Sequence, residues 1–419
     1  MTEKRIEHLT SDTQEAGNAD IRHDAEAGAS AQSADNADTM MSATTSTAGG
    51  EPVKHQRRKR YSGKYPRRFD EKYKELNPEK YQDDIVKIIQ KGKTPAGMHI
   101  SIMVKEILDV LKIQPGEIGM DATLGYGGHT EKMLEQLHGQ GHLYATDVDP
   151  IESAKTEKRL REKGYGEDIL TIRHLNFRDI DQVTGNGDKF DFVLADLGVS
   201  SMQIDNPERG FSYKTDGPLD LRLNPEAGES ASERLRTLSY DDMVNMFIEN
   251  SDEPYAERIA REIDRGLHKG MKFETTTELR GTIAKALAFL PEKEQKDAVK
   301  KSCQRVFQAL RIDVNSEFEV LYDFLEKLPD CLNPGARVAI LTFHSGEDRL
   351  VKKFFKEMQK AGIYREVSRD VIRPGKEECF INPRAHSTKL RWAIKYALHI
   401  GKWPEGAATE AQYSETGEL

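Results

Sequence analysis

A glycine turn and four carboxylates are the residues of this sequence best placed to do chemistry. Gly125, Gly127 and Gly128 follow directly on the short apolar run Ile118 to Thr123, where a chain must turn sharply and let a ligand approach its backbone. Asp121 stands before the turn, Asp147 and Asp149 follow it, and Asp196 ends a later apolar run. An acid about 20 residues past such glycines, the place of Asp147, can accept hydrogen bonds from ribose hydroxyls. The spacing Gly-x-Gly-Gly-x-Thr puts Thr130 where a dinucleotide fingerprint needs its third glycine, which counts against NAD. A pocket this rich in carboxylates would repel a pyrophosphate. S-adenosylmethionine, with a sulfonium cation, a ribose and no phosphate, suits it by Coulomb attraction.

These groups act together only if strands and helices bring them to one crevice. Ile118 to Thr123 reads as a strand, His129 to Leu137 as a helix, and His142 to Thr146 as a second strand that delivers Asp147 and Asp149 at its carboxyl end. Ile169 to His174 is a third strand with Asn176 and Phe177 at its end, where Phe177 can stack on an adenine or join the core. Phe190 to Ala195 is an apolar run broken only by Asp191, as in a parallel strand covered on both faces. In a doubly wound sheet it lies beside the first strand, so Asp196 faces the glycine turn and is the leading catalytic candidate. An amphipathic helix, Ser101 to Leu111, precedes the first strand.

The alternation stops from about Tyr213 to Lys300. Ser230 with Glu233, Ser239 with Asp242 and Thr275 with Glu278 stand at capping-box spacing or its Asp variant, and mark three helix starts in an inserted helical domain. Arg258, Arg261, Arg265, Lys269 and Lys272 recur near one helical face, either to contact phosphates or as a solvated surface. The α/β pattern resumes with a long helix containing Val306 to Asp323, a strand Ala336 to Phe343 ending in His344, and a helix Arg349 to Met358. Two extended runs, Tyr364 to Val371 and Leu390 to Tyr396, can close the sheet.

With 419 residues the chain can hold two or three domains. No apolar run approaches the roughly 20 residues needed to span a bilayer, and a soluble, cytoplasmic protein without membrane partners is expected. Cys303, Cys331 and Cys379 fall in no metal-ligand pattern, so no metal site is expected. Residues 1 to 50 are acidic and poor in large apolar side chains, the composition of a disordered tail. Lys54 to Arg68 holds eight Lys/Arg and no acid, which suits an arm for phosphate backbones or one that pairs with the acidic tail. The net charge of -9 means that a nucleic-acid enzyme would need local basic patches on an acidic body.

These signatures together resemble one family, RsmH (MraW), the bacterial 16S rRNA cytosine-N4 methyltransferases. The matching motifs are Asp121-Ala-Thr-Leu-Gly-Tyr-Gly-Gly-His129, Asp196-Leu-Gly-Val-Ser-Ser201, Glu208-Arg-Gly-Phe211, Asp216-Gly-Pro-Leu-Asp-Leu-Arg222, Phe307-Gln-Ala-Leu-Arg311 with Val314-Asn315, Phe343-His-Ser345 with Glu347-Asp-Arg349, and Asn382-Pro-Arg384. They run in order over about residues 97 to 398. The resemblance implies a Rossmann-like class I S-adenosylmethionine-dependent methyltransferase sheet in two parts, 96–212 and 301–400. An inserted helical substrate-recognition domain is expected at 213–300; the resemblance does not cover the N-terminal extension, where composition predicts a disordered tail with its basic arm (1–68) and a linker helix (69–95), and a polar tail is expected at 401–419. The resemblance implies N4-methylation of one cytidine in the decoding region of 16S rRNA, within the small ribosomal subunit. Family cofactor contacts fall on Gly127, Gly128, His129, Asp147, Phe177, Asp196 and Gln203. Departures are Gly346 where leucine is usual, Met202 for a common proline, Leu223-Asn224 for methionine and an acid, and His386 for Arg or Lys.

With the substrate that the resemblance implies, Asp196 could accept from the N4 amino group, and Phe211 or Tyr213 could stack on an unstacked base or pack in the core. His344 and His129 read first as groups that hold their loops. A methyltransferase acting on DNA or a small-molecule amine, a nicotinamide enzyme and a non-catalytic RNA-binding protein stay open, as does a homodimer.

Overall fold

The structure is a computed structural model and describes residues 101–397. The acidic tail, the arm at 54–68, the linker helix at 69–95 and the tail at 401–419 lie outside the described residues. Helix α1 (Val104–Leu111) leads into β1 (Ile118–Asp121), α2 (Gly128–Leu137), β2 (His142–Asp147), α3 (Pro150–Glu162), β3 (Leu170–His174) and β4 (Phe190–Asp196). Helices α4 (Ser201–Asp205), α5 (Ala231–Thr237), α6 (Tyr240–Ser251), α7 (Ala256–His268), α8 (Thr276–Ala286), α9 (Glu292–Val314) and α10 (Glu317–Lys327) follow. Then come β5 (Leu332–Thr342), α11 (Ser345–Lys360), β6 (Tyr364–Val367), α12 (Lys376–Ile381) and β7 (Lys389–Lys395).

The seven strands stand in the order β3-β2-β1-β4-β5-β7-β6. β1 to β5 run parallel, and β7 is antiparallel to both β5 and β6. After β1 the chain winds outward through β2 and β3, then returns to place β4 on the other side of β1. Asp121 is in register with Ala145 of β2 and Leu194 of β4, so three strand ends open onto one crevice.

Side-chain alternation along β4 explains the layers. Phe192 and Leu194 join α1, α2 and α3 in one core, whereas Val193 and Ala195 join α10 and α11 in the core on the opposite face. Both faces are covered, which is why Phe192 to Ala195 is apolar without a break. A third core gathers Phe211, Leu219 and Leu221 with α5 to α9, including Met243, Phe247, Ile263, Phe273, Val306 and Leu310. The three expected helix starts are present: the side chains of Ser230, Ser239 and Thr275 accept from the amides of Glu233, Asp242 and Glu278. At the amino end of the sheet Arg337 donates to both Glu117 carboxylate oxygens, at 2.8 and 2.6 Å, and to the Leu111 carbonyl, fastening β5 to the α1–β1 connection.

The helix expected through Val306 to Asp323 is two helices. Asn315 turns its amide outward, accepting from Leu223 N at 2.7 Å and donating to Leu221 O at 2.8 Å, and Ser316 is left-handed at φ 48°. Asn315 and Ser316 are weak helix formers, and partners more than 90 residues away fix the break at this point. β5 starts at Leu332, earlier than expected, while the Tyr364 run pairs only to Val367, with Ile372 making an isolated bridge to Leu390. Among the described residues, no helix is long and apolar enough to cross a membrane.

Gly119 of β1 allows the closest approach in the sheet core: a Cβ there would lie 2.0 Å from Cζ of the buried Phe192 ring. Gly119→Ala is expected to destabilise the protein by about 1–3 kcal/mol through forced repacking, read as a lower urea midpoint at unchanged slope.

Candidate active site

The turn after β1 is built around missing side chains. Gly127 caps α2 in the left-handed region, φ 74°, and a Cβ on Gly128 would lie 2.0 Å from Ser101 Oγ. The buried Asp121 carboxylate secures the turn from below, accepting from Thr130 Oγ1 at 2.6 Å and Thr123 N at 3.1 Å. Burial raises its pKa against the lowering effect of these donors and of His129.

The end of β2 meets the turn from the side. Asp147 accepts from Gly125 N at 2.7 Å and from Asp149 N at 2.8 Å. It borders the cleft yet is enclosed by protein elsewhere, and burial pushes its pKa up to about 6 despite those two donors. Asp149 is fully buried and caps α3, accepting from the amides of Ile151 and Glu152 at 3.0 and 3.1 Å. Its other oxygen accepts from Gln203 Nε2 at 2.9 Å and from the Arg209 guanidinium at 2.6 Å. Arg209 also donates to the carbonyls of Arg222 and Leu223.

Asp196, at the end of β4, faces the turn as expected. Its Oδ2 lies 3.4 Å from His129 Nδ1, while its Oδ1 is buried with no hydrogen-bond partner. Burial drives its pKa up to about 6, with Asp121 and Glu347 pushing the same way and His129 opposing. His129 itself is held by a 2.9 Å hydrogen bond between Nε2 and the Ile102 carbonyl.

One cleft of about 520 Å³ collects these groups: Gly127, Gly128, His129, Asp147, Phe177, Asp196 and Gln203 all border it. Phe177 serves both readings, packing edge-on against Phe324 at 5.2 Å while lining the cleft. Gln203 is more committed than expected. Its amide donates to Asp149 and accepts from Ser200 N at 2.9 Å, leaving it part of the wall. Phe211 and Tyr213 border the cleft from the third core, with Tyr213 set edge-on to Phe307 at 5.9 Å.

Sequence reasoning missed the polar network on the far wall. Arg311 donates to both oxygens of Glu317, at 2.7 and 2.8 Å, and His344 Nε2 lies 3.2 Å from Glu347 Oε1. His344 also caps α11, accepting weakly from Glu347 N. Burial would raise the pKa of Glu347, but His344 and Arg311 outweigh it and hold the carboxyl low. Glu317, His344 and Glu347 present donor atoms within 4.8 Å of one another, a spacing a metal ion could bridge. The Arg311 guanidinium already neutralises Glu317 and repels a second cation, so the group reads as an ion-pair network. The readable signal lay in α9: Gln304, Phe307, Gln308, Arg311 and Asn315 recur at helical spacing and all line the cleft. At the rim Arg384 donates to both oxygens of Asp205, at 2.9 and 3.0 Å.

Residues 96–396 match the MraW methylase family. The chain is 66% identical over 345 residues to "Ribosomal RNA small subunit methyltransferase H 1" of Agathobacter rectalis, covering 82% of this chain and 99% of that protein. It is 65% identical over 349 residues to the protein of the same name from Lachnoclostridium phytofermentans, covering 83% and 95%. A more distant relative, "Ribosomal RNA small subunit methyltransferase H" of Thioalkalivibrio sulfidiphilus, is 38% identical over 323 residues, covering 72% and 99%.

The Asp149–Arg209 pair has side chains 0% and 9% exposed, so solvent does little to screen it. Arg209→Ala is expected to cost about 3 kcal/mol, because it leaves a buried carboxylate without its countercharge. Arg209→Met should cost as much despite filling the space, and equilibrium unfolding of both variants checks this.

Proposed function

Because the chain belongs to the MraW methylase family, we propose that it transfers the methyl group of S-adenosylmethionine to the exocyclic N4 of one cytidine in the decoding region of 16S rRNA, within the small ribosomal subunit. The observation that carries this reading is Asp196 Oδ1, a buried carboxylate oxygen without a partner at the meeting point of β1 and β4. An acceptor left this way suits an amino donor that arrives with the substrate.

The residues present fit the cofactor. The glycine turn leaves room for a ligand against the backbone, Asp147 keeps acceptor capacity for ribose hydroxyls, and Asp147 and Asp196 supply negative charge for a sulfonium. Phe177 flanks the adenine position; Gly127, Gly128, His129 and Gln203 complete the wall. When bound, S-adenosylmethionine supplies the electrophilic methyl carbon. Cytosine N4 is a poor nucleophile because its lone pair is delocalised into the ring. Asp196 accepts a hydrogen bond from the amino group, draws that lone pair out of conjugation and takes up the released proton. Holding N4 in line with the methyl carbon can supply roughly 7–11 kcal/mol of the barrier. The helical insert, taken as 213–300, helps select the substrate together with α9, and Phe211 and Tyr213 stand where an unstacked base would enter.

The test of function is incubation with methyl-labelled S-adenosylmethionine and small ribosomal subunits from a strain deleted for the gene, followed by nuclease digestion and mass spectrometry. N4-methylated cytidine at one rRNA position supports the reading. Cofactor binding without label in rRNA points to another nucleic acid or a small-molecule amine. Asp196→Asn is expected to lower kcat by about 100-fold or more at saturating cofactor, and to weaken cofactor binding as well by removing a charge that faces the sulfonium. Asp147→Ala should instead raise the KM for S-adenosylmethionine by roughly 10- to 100-fold, as expected for lost hydrogen bonds to a charged group. With Asp196 raised to about 6, its acceptor form is lost as pH falls, so kcat should decline below about pH 6.

A further inference from the structure

His129 meets two partners of opposite demand. The Ile102 carbonyl, 2.9 Å from Nε2, can only accept, so Nε2 carries a hydrogen. Nδ1 then faces Asp196 Oδ2 at 3.4 Å either as a bare lone pair or as an N–H. A lone pair against a carboxylate is repulsive, so the contact is favourable only when one proton lies between the two groups. The groups facing the pair are Asp121 from β1, which faces both members, and Glu347 from α11, which faces Asp196.

We propose that His129 is a positioning residue for Asp196: its Nδ1 side holds Oδ2 in place, leaves Oδ1 for the substrate amino group, and keeps the carboxylate an acceptor to lower pH than its burial would otherwise allow. This rests on the reading of Asp196 as the N4 acceptor. As the N4–C bond forms and the C–S bond breaks with its electron pair left on sulfur, N4 carries one hydrogen too many. That proton passes to Asp196 Oδ1 and from there to solvent, and the ring beside Oδ2 helps its release by lowering the Asp196 pKa against the effect of burial. A histidine that only shaped the cofactor turn would have no such effect.

The experiment is kcat against pH at saturating S-adenosylmethionine, with small ribosomal subunits as substrate, for the full chain and its His129→Gln and His129→Asn variants, beside calorimetric affinities for the cofactor. Loss of the ring, which lowers the Asp196 pKa, should move the acid limb of kcat upward by about one pH unit or more. At a pH on that limb kcat should fall roughly tenfold, read at saturating cofactor so that any change in cofactor affinity does not enter. An unmoved limb with weakened cofactor binding would overturn the proposal. Nitrogen NMR of the His129 ring in the parent and in Asp196→Asn supplies a second readout that needs no turnover. The Nδ1 resonance should move once the Asp196 carboxylate beside it is gone, and an unmoved resonance would also overturn the pairing. If the parent methylates no rRNA, the function reading fails while the NMR comparison still decides whether the two groups are coupled.

Discussion

The site depends on one buried charge, the carboxylate of Asp149. It is fully shielded from solvent and accepts from two α3 amides, from Gln203 and from Arg209. A bare carboxylate at that depth would be prohibitively unstable, and satisfying every acceptor position is what makes it tolerable. Through those bonds the end of β2, the start of α3, helix α4 and the 209–223 segment become one framework. Arg209 extends it by holding the Arg222 and Leu223 carbonyls, and Asn315 grips Leu221 and Leu223 from α9. The glycine turn on one side of the cleft and the helical wall on the other are therefore fixed with respect to each other by polar bonds inside the protein.

That framework allows carboxylates to gather around the cleft. Asp121, Asp147 and Asp196 stand at the ends of three adjacent parallel strands, and burial raises the pKa of each. Their donors set them apart. Asp121 is tied to Thr130 and Thr123, Asp147 to two backbone amides, and Asp196 keeps one oxygen unpartnered. Environment divides three like residues into a structural anchor, a hydrogen-bond acceptor at the cleft wall and an open acceptor. Glu347 on the opposite wall differs because His344 and Arg311 hold its pKa down.

Features carried by short-range pattern were legible in the sequence. The βαβ unit, the glycine turn and Asp196 at a strand end follow from apolar runs and turn residues within a few positions, as do the three side-chain caps at Ser230, Ser239 and Thr275. Features that rest on distant partners were not. The break at Asn315 needs Leu221 and Leu223, the Asp149–Arg209 pair spans 60 positions, and Arg384 reaches Asp205 across 179. Gly346 shows the same limit. Its backbone sits under Phe318, so close that a Cβ would lie 2.6 Å from the ring, and a residue that departs from the family pattern is explained only by that neighbour.

The central claim is that Asp196 receives the amino group of the target base. A crystal structure of the chain with S-adenosylhomocysteine and cytidine tests it most directly. N4 within about 3.2 Å of an Asp196 carboxylate oxygen is the predicted result. N4 turned away from β4, with its donors on the His344 and Glu347 wall instead, would contradict it.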